Sequence, residues 1–407
     1  MIHFAGTLFL CKEPSYYFCK VRDFTFRFKL ADLFFLCHEA KRLANFQFVI
    51  LSQRSRLTKE KKKREPLTLL KKSSRKISAD PLKIRLMKKT QRIENPSDGG
   101  KPFLKWVGGK TQLLGEIFQT IPQSFWVREN VTYVEPFVGG GAVLFRFLRE
   151  FSNISRAVIN DVNPALIAAY RCVQSNPEKL IFELSGIERE YFSLPESEDA
   201  RREFFLERRA EFNGVASNRD RKDGAEDIRV AALLIFLNRT CFNGLFRVNA
   251  RGEFNVPFGK YTHPKICDAE TIRADSTLLQ RTEILCGDFE STLKYADGNA
   301  LFYLDPPYKP ISVTSSFNAY AQGGFGDTDQ VRLRDFCGAL HACSAHWVLS
   351  NSDAYNAGGM SFFEELYAGF SIRRVLASRM VNANASKRGK LAEVLISNFT
   401  KEEIRND

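Results

Sequence analysis

The four residues Asp305-Pro306-Pro307-Tyr308 combine groups that could turn a planar amino compound into a nucleophile. An ionised Asp305 only accepts hydrogen bonds, and the prolines lock the turn so that a backbone carbonyl can aim at the same donor. Tyr308 adds a ring on which a flat base can stack. Two acceptors on one exocyclic amino group draw its lone pair out of ring conjugation and free it for attack. The run follows the apolar stretch Leu301–Leu304, where a buried strand should end. A merely rigid turn after a strand is the bland alternative.

A second constellation is Val134-Glu135-Pro136-Phe137-Val138-Gly139-Gly140-Gly141-Ala142-Val143, a strand running into three glycines and then a helix. Glycine permits a sharp turn and close approach to a ligand, while a helix N-terminus offers free N–H groups. The dinucleotide spacing G-x-G-x-x-G fails, because Ala142 and Val143 follow the glycines. An acid still follows the next strand at Asp161, 20 residues beyond Gly141, and a carboxylate there can accept both hydroxyl protons of a ribose. A Gly-rich turn alone is often structural; with this acid, nucleoside binding is the better reading. A third stretch, Phe103-Leu104-Lys105-Trp106-Val107-Gly108-Gly109-Lys110, ends like a phosphate loop. The full G-x-x-x-x-G-K-[ST] would need glycine where Leu104 stands, which disfavours an NTPase. Trp106 and Lys110 could instead meet the apolar face and the carboxylate of a cofactor.

These groups need a frame. Short apolar runs at Thr132–Val134, Ala157–Ile159, Glu283–Cys286, Ala300–Leu304 and Trp347–Leu349 predict buried strands, with helices such as Ala142–Glu150 and Pro164–Gln174 between them. A last pair, Ser371–Ala377 and Leu391–Asn398, brackets a polar loop. Alternating strands and helices predict a mainly parallel α/β sheet covered on both faces. The stretch 175–275 breaks the alternation and reads as a helical insertion with a hairpin-like loop from Asn243 to Gly259. Insertions of this kind usually carry substrate choice, since ligands bind beyond the carboxyl ends of the strands.

The 407 residues are ample for a buried core, and 44% hydrophobic with 26% charged residues excludes a wholly disordered or collagen-like chain. No apolar run is long enough for a spanning helix. Nine cysteines without a C-x-x-C pair argue against a disulfide framework or zinc site and fit a reducing cytosol. The net charge of +13 lies wholly in residues 1–86, which hold 20 Lys and Arg against 7 Asp and Glu; the remainder holds 40 of each sign. That opening segment is Phe-rich and strand-like at Phe24-Thr25-Phe26-Arg27-Phe28, then basic from Lys59 to Arg64. It reads as an accessory or disordered basic arm, or as sequence upstream of a true start at Met87. Residues 87–100 read as a linker. Local basic clusters that could meet phosphates are Arg219-Asp220-Arg221-Lys222, Arg373-Arg374 and Ser386-Lys387-Arg388-Gly389-Lys390, or each is a solvated loop.

Taken together, these motifs resemble the Dam-type (class alpha, D12) DNA adenine-N6 methyltransferases over about residues 101–400. The likeness runs through Phe103–Lys110, Glu135–Gly141, Asn160-Asp161-Val162-Asn163, Leu237–Asn249, Arg251–Tyr261 and Asp305–Tyr308. It implies a Rossmann-like AdoMet-dependent methyltransferase sheet formed by 101–169 and 276–400. A helical and hairpin DNA-recognition subdomain, 170–275, would be inserted in it. The cofactor would be S-adenosyl-L-methionine, held by Trp106, Lys110, Glu135, Phe137, Gly139, Gly141, Asp161, Asp288 and Asp305. Asp305, Pro306 and Tyr308 would be catalytic, and no metal would be required. Phe242, Asn243, Leu245, Arg247, Pro257, Lys260 and Tyr261 would read duplex DNA, with GATC as the site. Phe242 stands where some relatives carry tyrosine, and Lys260 where some carry arginine; ring and charge are kept. The resemblance further implies a cytoplasmic monomer, in restriction–modification beside a cognate endonuclease or in a solitary regulatory role. Two other classes stay open: a methyltransferase of ribosomal RNA guanine or protein glutamine, and a DNA-binding protein that has lost activity.

Overall fold

The computed structural model describes residues 11–13, 16–21, 24–29, 100–106, 110–216, 227–310, 325–355, 359, 361–378, 390–400 and 402–403. The chain divides into two compact units, Met1–Ser78 and Ala79–Asp407. In the first, strands β1 (Cys11–Glu13), β2 (Tyr16–Val21) and β3 (Phe24–Lys29) form an antiparallel meander in that order. The alternating Phe24–Phe28 stretch lies in β3, as its period of two predicts.

The second unit is built on a seven-stranded mixed sheet. Helices α1 (Leu114–Thr120) and α2 (Gln123–Trp126) precede it. Strand β4 (Val131–Glu135) leads to α3 (Ala142–Glu150), then β5 (Ile154–Asp161) to α4 (Pro164–Ser175). Helices α5 (Pro177–Ser193), α6 (Glu198–Ala216), α7 (Ile228–Thr240) and α8 (Ala269–Leu279) follow before β6 (Thr282–Cys286). Then come β7 (Ala300–Leu304), α9 (Asp327–Ala342), β8 (His346–Ser352), α10 (Phe362–Leu366), β9 (Ser371–Ser378) and β10 (Lys390–Ser397). Strand order is β6-β5-β4-β7-β8-β10-β9; the first five are parallel, and β10 pairs antiparallel with both β8 and β9. Each predicted strand falls in one of these, and the predicted α/β sheet is the one observed.

Burial explains the sequence pattern. Every residue of β7 is buried, because a central parallel strand is covered on both faces and reads as an unbroken apolar run. Side chains still alternate: Tyr133, Ala157, Leu301 and Tyr303 face one core with α3, α4 and α7, while Val134, Val158, Phe302 and Leu304 face another with α9. Helix α7 is buried almost all round, so it is the axis about which the helices between β5 and β6 pack. The sheet reverses direction of growth between β4 and β7, and an α/β sheet opens its ligand crevice at the carboxyl ends of such a pair. The glycine loop and the Asp305 turn both begin there.

Between α7 and α8 the chain forms a loose hairpin. Its bridges are Cys241 to Phe258 and Val248 to Phe254, joined by a 3₁₀ turn at Phe242–Gly244. The predicted hairpin-like loop is thus present as isolated bridges and not as a continuous ladder. Among the described residues no helix is long and apolar enough to cross a membrane, and no group of three or more His, Cys, Asp or Glu is placed to hold a metal ion.

Candidate active site

Asp305 leaves the end of β7, and its Oδ1 accepts from the Lys110 ammonium at 2.8 Å and from the Ser350 hydroxyl at 3.1 Å. Lys110 is only 6% exposed and Asp305 23%. The same ammonium lies 4.5 Å from the centre of the Tyr308 ring, so carboxylate and ring share one cation. The Tyr308 hydroxyl donates to Glu393 Oε2 of β10 at 2.6 Å. The rest of the turn is pinned to the neighbouring elements. The Lys309 N–H donates to Asn351 Oδ1 at 3.0 Å, the Ser352 hydroxyl to the Lys309 carbonyl at 2.5 Å, and Gln330 Nε2 to the Pro307 carbonyl at 3.2 Å. Pro306 is buried. Burial raises the Asp305 pKa, opposed by Lys110 and Ser350. The Tyr308 phenol is pushed well up, by burial first and then by Asp305.

The glycine loop lies across from this turn. Gly139 and Gly141 take φ of 48° and 71°, a region that a side chain penalises. A Cβ on Gly140 would lie 2.6 Å from the Cβ of Trp106, so the loop rests directly on that indole. Asp161, at the end of β5, accepts the Gly139 N–H at 3.2 Å and the Asn163 N–H at 2.9 Å. Its carboxyl pKa is raised because burial outweighs those bonds. The Tyr170 hydroxyl of α4 donates to the Gly139 carbonyl at 3.0 Å, and Asn160 Nδ2 donates to the Pro136 and Gly287 carbonyls. Glu135 is 2% exposed and accepts the Tyr133 hydroxyl at 2.8 Å. Burial pushes its carboxyl well above the usual range, against the Tyr133 and Leu144 donors. It thereby ties β4 to the first turn of α3, just past the glycine loop. Phe137 packs between the rings of Phe289 and Phe325, 5.3 and 5.9 Å away. Asp288 caps the turn after β6 through the Glu290 N–H and is paired with Arg332 at 3.1 Å.

The hairpin reaches this site through Trp106, whose indole stacks on Phe246 at 5.7 Å and 16°. Asn238 of α7 fixes the junction: it accepts the Lys105 N–H at 2.8 Å and donates to the carbonyls of Lys105 and Gly244. Phe242 is 48% exposed, its N–H bound to the Pro257 carbonyl. Arg247 is exposed and held by Asn255, with Nε 2.7 Å from its Oδ1 and Nη2 3.3 Å from its carbonyl. The Tyr261 hydroxyl accepts the Asn243 N–H at 3.1 Å, and the Lys105 ammonium lies 4.6 Å from the Tyr261 ring centre. Leu245 is half-buried beside the same core, and Lys260 pairs with Glu198 at 2.5 Å on the surface.

One basic pair differs from sequence expectation. Arg373 is engaged by the side chain and the carbonyl of Glu116, and Arg374 by Asp353 and Glu364 at 2.9 and 2.8 Å, so both cations are compensated within the chain. Residues 107–109, 217–226 and 379–389, which include the other basic clusters except Lys390, lie outside the described residues. Ser350, Tyr303, Glu393, Asn238 and Phe246 were not singled out from sequence. One signal was available for the first: Ser350, Asn351, Ser352 and Asp353 form a buried polar run at the carboxyl end of an apolar strand, where backbone geometry alone gives no reason for polarity.

The same residues match known proteins. Residues 106–381 match the family of D12 class N6 adenine-specific DNA methyltransferases. The chain is 44% identical over 300 residues to the Type II methyltransferase M.MjaIII of Methanocaldococcus jannaschii, spanning 74% of this chain and 99% of that one. It is 39% identical to the Type II methyltransferase M1.LlaDCHI of Lactococcus lactis subsp. cremoris, over 74% and 95% of the two chains. A DNA adenine methylase of Haemophilus influenzae is 33% identical, over 72% and 92%. With the Asp305 turn, the glycine loop and the sheet order in place, the chain belongs to the D12 class of N6 adenine-specific DNA methyltransferases.

Proposed function

We propose that this enzyme methylates adenine N6 within GATC in duplex DNA, using S-adenosyl-L-methionine as donor. The observation that carries the reading is the acceptor–ring pair at the end of β7, Asp305 and Tyr308 around one ammonium. The glycine loop fits the donor: its positive φ angles, its seat on Trp106 and the half-buried Asp161 beneath it form a cradle that a Cβ would fill. Trp106, Lys110, Phe137, Gly139, Gly141, Asp161 and Asp305 would hold it, with Glu135 and Asp288 supporting the loops from below and beside. When bound, it supplies a methyl group on a sulfonium, already a good leaving group.

The chain's own residues supply orientation and a proton acceptor. The target amino group is paired inside the duplex, so the base leaves the helix before it reacts. Phe242, the exposed ring of the hairpin, would fill the space left behind. Asp305 and the Pro306 carbonyl accept the amino protons, and Tyr308 stacks on the base. The nitrogen gains a methyl and sheds one proton, which Asp305 takes; its raised pKa suits that role. Alignment of the two reactants contributes most of the acceleration. Arg247, oriented by Asn255, makes a bidentate contact to guanine in the major groove. Asn243, Leu245, Pro257, Lys260 and Tyr261 shape the same reading edge; the Lys260 pair with Glu198 is exposed and exchanges readily for a phosphate. The enzyme acts as a cytoplasmic monomer, and an endonuclease cutting the same site is a compatible partner.

The test is methyl incorporation into short duplexes carrying GATC or GTAC, with Asp305→Ala as control. N6-methyladenine in the GATC duplex alone supports the reading. Methylation of both keeps the chemistry and overturns the site. Incorporation into structured RNA but not DNA overturns the substrate.

A further inference from the structure

Strand β7 places Tyr303 two residues before Asp305, on the same face, and β8 runs parallel beside it with Leu304 paired to Leu349. This register brings Ser350, fully buried, between the two. Its Oγ lies 2.9 Å from the Tyr303 hydroxyl and 3.1 Å from Asp305 Oδ1. A serine hydroxyl has one proton to give. Asp305 Oδ1 can only accept when ionised, so Ser350 donates to it and the Tyr303 hydroxyl donates to Ser350. The result is a directed chain, Tyr303 to Ser350 to Asp305, inside the core.

We propose that Ser350 and Tyr303 are positioning residues for the catalytic carboxylate: Tyr303 orients the Ser350 hydroxyl, which with Lys110 fixes Asp305 through Oδ1 and leaves Oδ2 for the target amino group. The proposal rests on the assignment of Asp305 as acceptor. Two donors on one oxygen set the plane of a carboxylate that is otherwise free to rotate about its last bond. Neither residue touches the reacting atoms. The groups facing Asp305 from the packed elements are Lys110 before α1, Tyr133 and Glu135 on β4, Tyr303 on β7 and Tyr308 with its partner Glu393 on β10.

The test compares Ser350→Ala, Tyr303→Phe and the double variant in the full chain, on a GATC duplex across pH. A hydrogen bond to a charged group is lost in Ser350→Ala, so kcat should fall about tenfold to a hundredfold, with KM for donor and DNA unchanged. Removing a donor makes Asp305 easier to protonate, so the acidic limb of kcat should move to higher pH. Tyr303→Phe should shift the limb in the same direction by less. The double variant should be no worse than Ser350→Ala, because Tyr303 acts through Ser350. Ser350→Cys, which keeps a weak donor, should fall between wild type and alanine and serves if Ser350→Ala does not fold. An unmoved acidic limb in folded variants, or additive losses in the double variant, would overturn the proposal. Activity surviving in Asp305→Ala would instead overturn the assignment of Asp305 itself, so the two failures are distinguishable.

Discussion

Replacing Asp305 with alanine should cost stability as well as activity, and the ion pair sets how much. The Lys110 ammonium, 6% exposed, is 2.8 Å from Asp305 Oδ1. Removing one member of a buried pair costs about 3–5 kcal/mol, because the other charge stays desolvated without its counter-charge. Asp305 is 23% exposed and Lys110 also rests on the Tyr308 ring, so the lower end applies. About 3 kcal/mol lowers the melting temperature of a unit this size by about 4 °C. The double variant Asp305→Ala with Lys110→Met removes both charges and leaves an apolar chain in the same space. It should recover to within about 1 kcal/mol of wild type while remaining inactive. Thermal and urea unfolding at neutral pH, followed by circular dichroism, measure all three proteins. Asp305→Ala melting with the wild type, or a double variant no more stable than Asp305→Ala, would refute the reasoning that this pair is energetically coupled in the core.

Other outcomes follow from the same geometry. Gly141→Ala places a Cβ 2.5 Å from the Tyr170 hydroxyl oxygen at a φ of 71°. The left-handed backbone alone costs about 1–2 kcal/mol, and donor affinity by calorimetry should fall at least about tenfold; unchanged affinity would remove the loop from the donor site. Asp275 is fully buried, and desolvation raises its pKa to about 9 against the opposing backbone N–H of Lys101. The folded state then holds a proton that the unfolded state releases, so stability should decline by about 1.4 kcal/mol per pH unit between the ordinary carboxylate range and about 9. Asp275→Asn should flatten that slope in denaturant titrations at several pH values; an equally steep slope in the variant would exclude Asp275 as its source. Arg247→Ala should reduce discrimination between GATC and GTAC duplexes by about tenfold to a hundredfold while leaving donor affinity unchanged. Equal discrimination would make Arg247 a phosphate contact.

The candidate reacting groups of this protein are local in sequence, and their support is not. Asp305-Pro306-Pro307-Tyr308 can be read in one glance because acceptor, rigid turn and ring are adjacent, and the apolar run before it announces a buried strand. Asp161 was legible for the same reason: a strand and a helix have characteristic lengths, so an acid 20 residues past the glycines lands at the next strand end. The order of motifs and the α/β alternation therefore follow from composition and period alone. What they could not show is which strands become neighbours. Ser350 lies 45 residues from Asp305, and Glu393 lies 85 from Tyr308; each meets its partner only because β8 lies beside β7, and β10 antiparallel beside β8. The same blindness made Arg373 and Arg374 look like free cations, when packing had already supplied Glu116, Asp353 and Glu364. Residue type and spacing determine what a segment can do. Strand order and register decide which distant side chain orients it, because hydrogen bonds and ion pairs act over about 3 Å in space and carry no memory of separation along the chain.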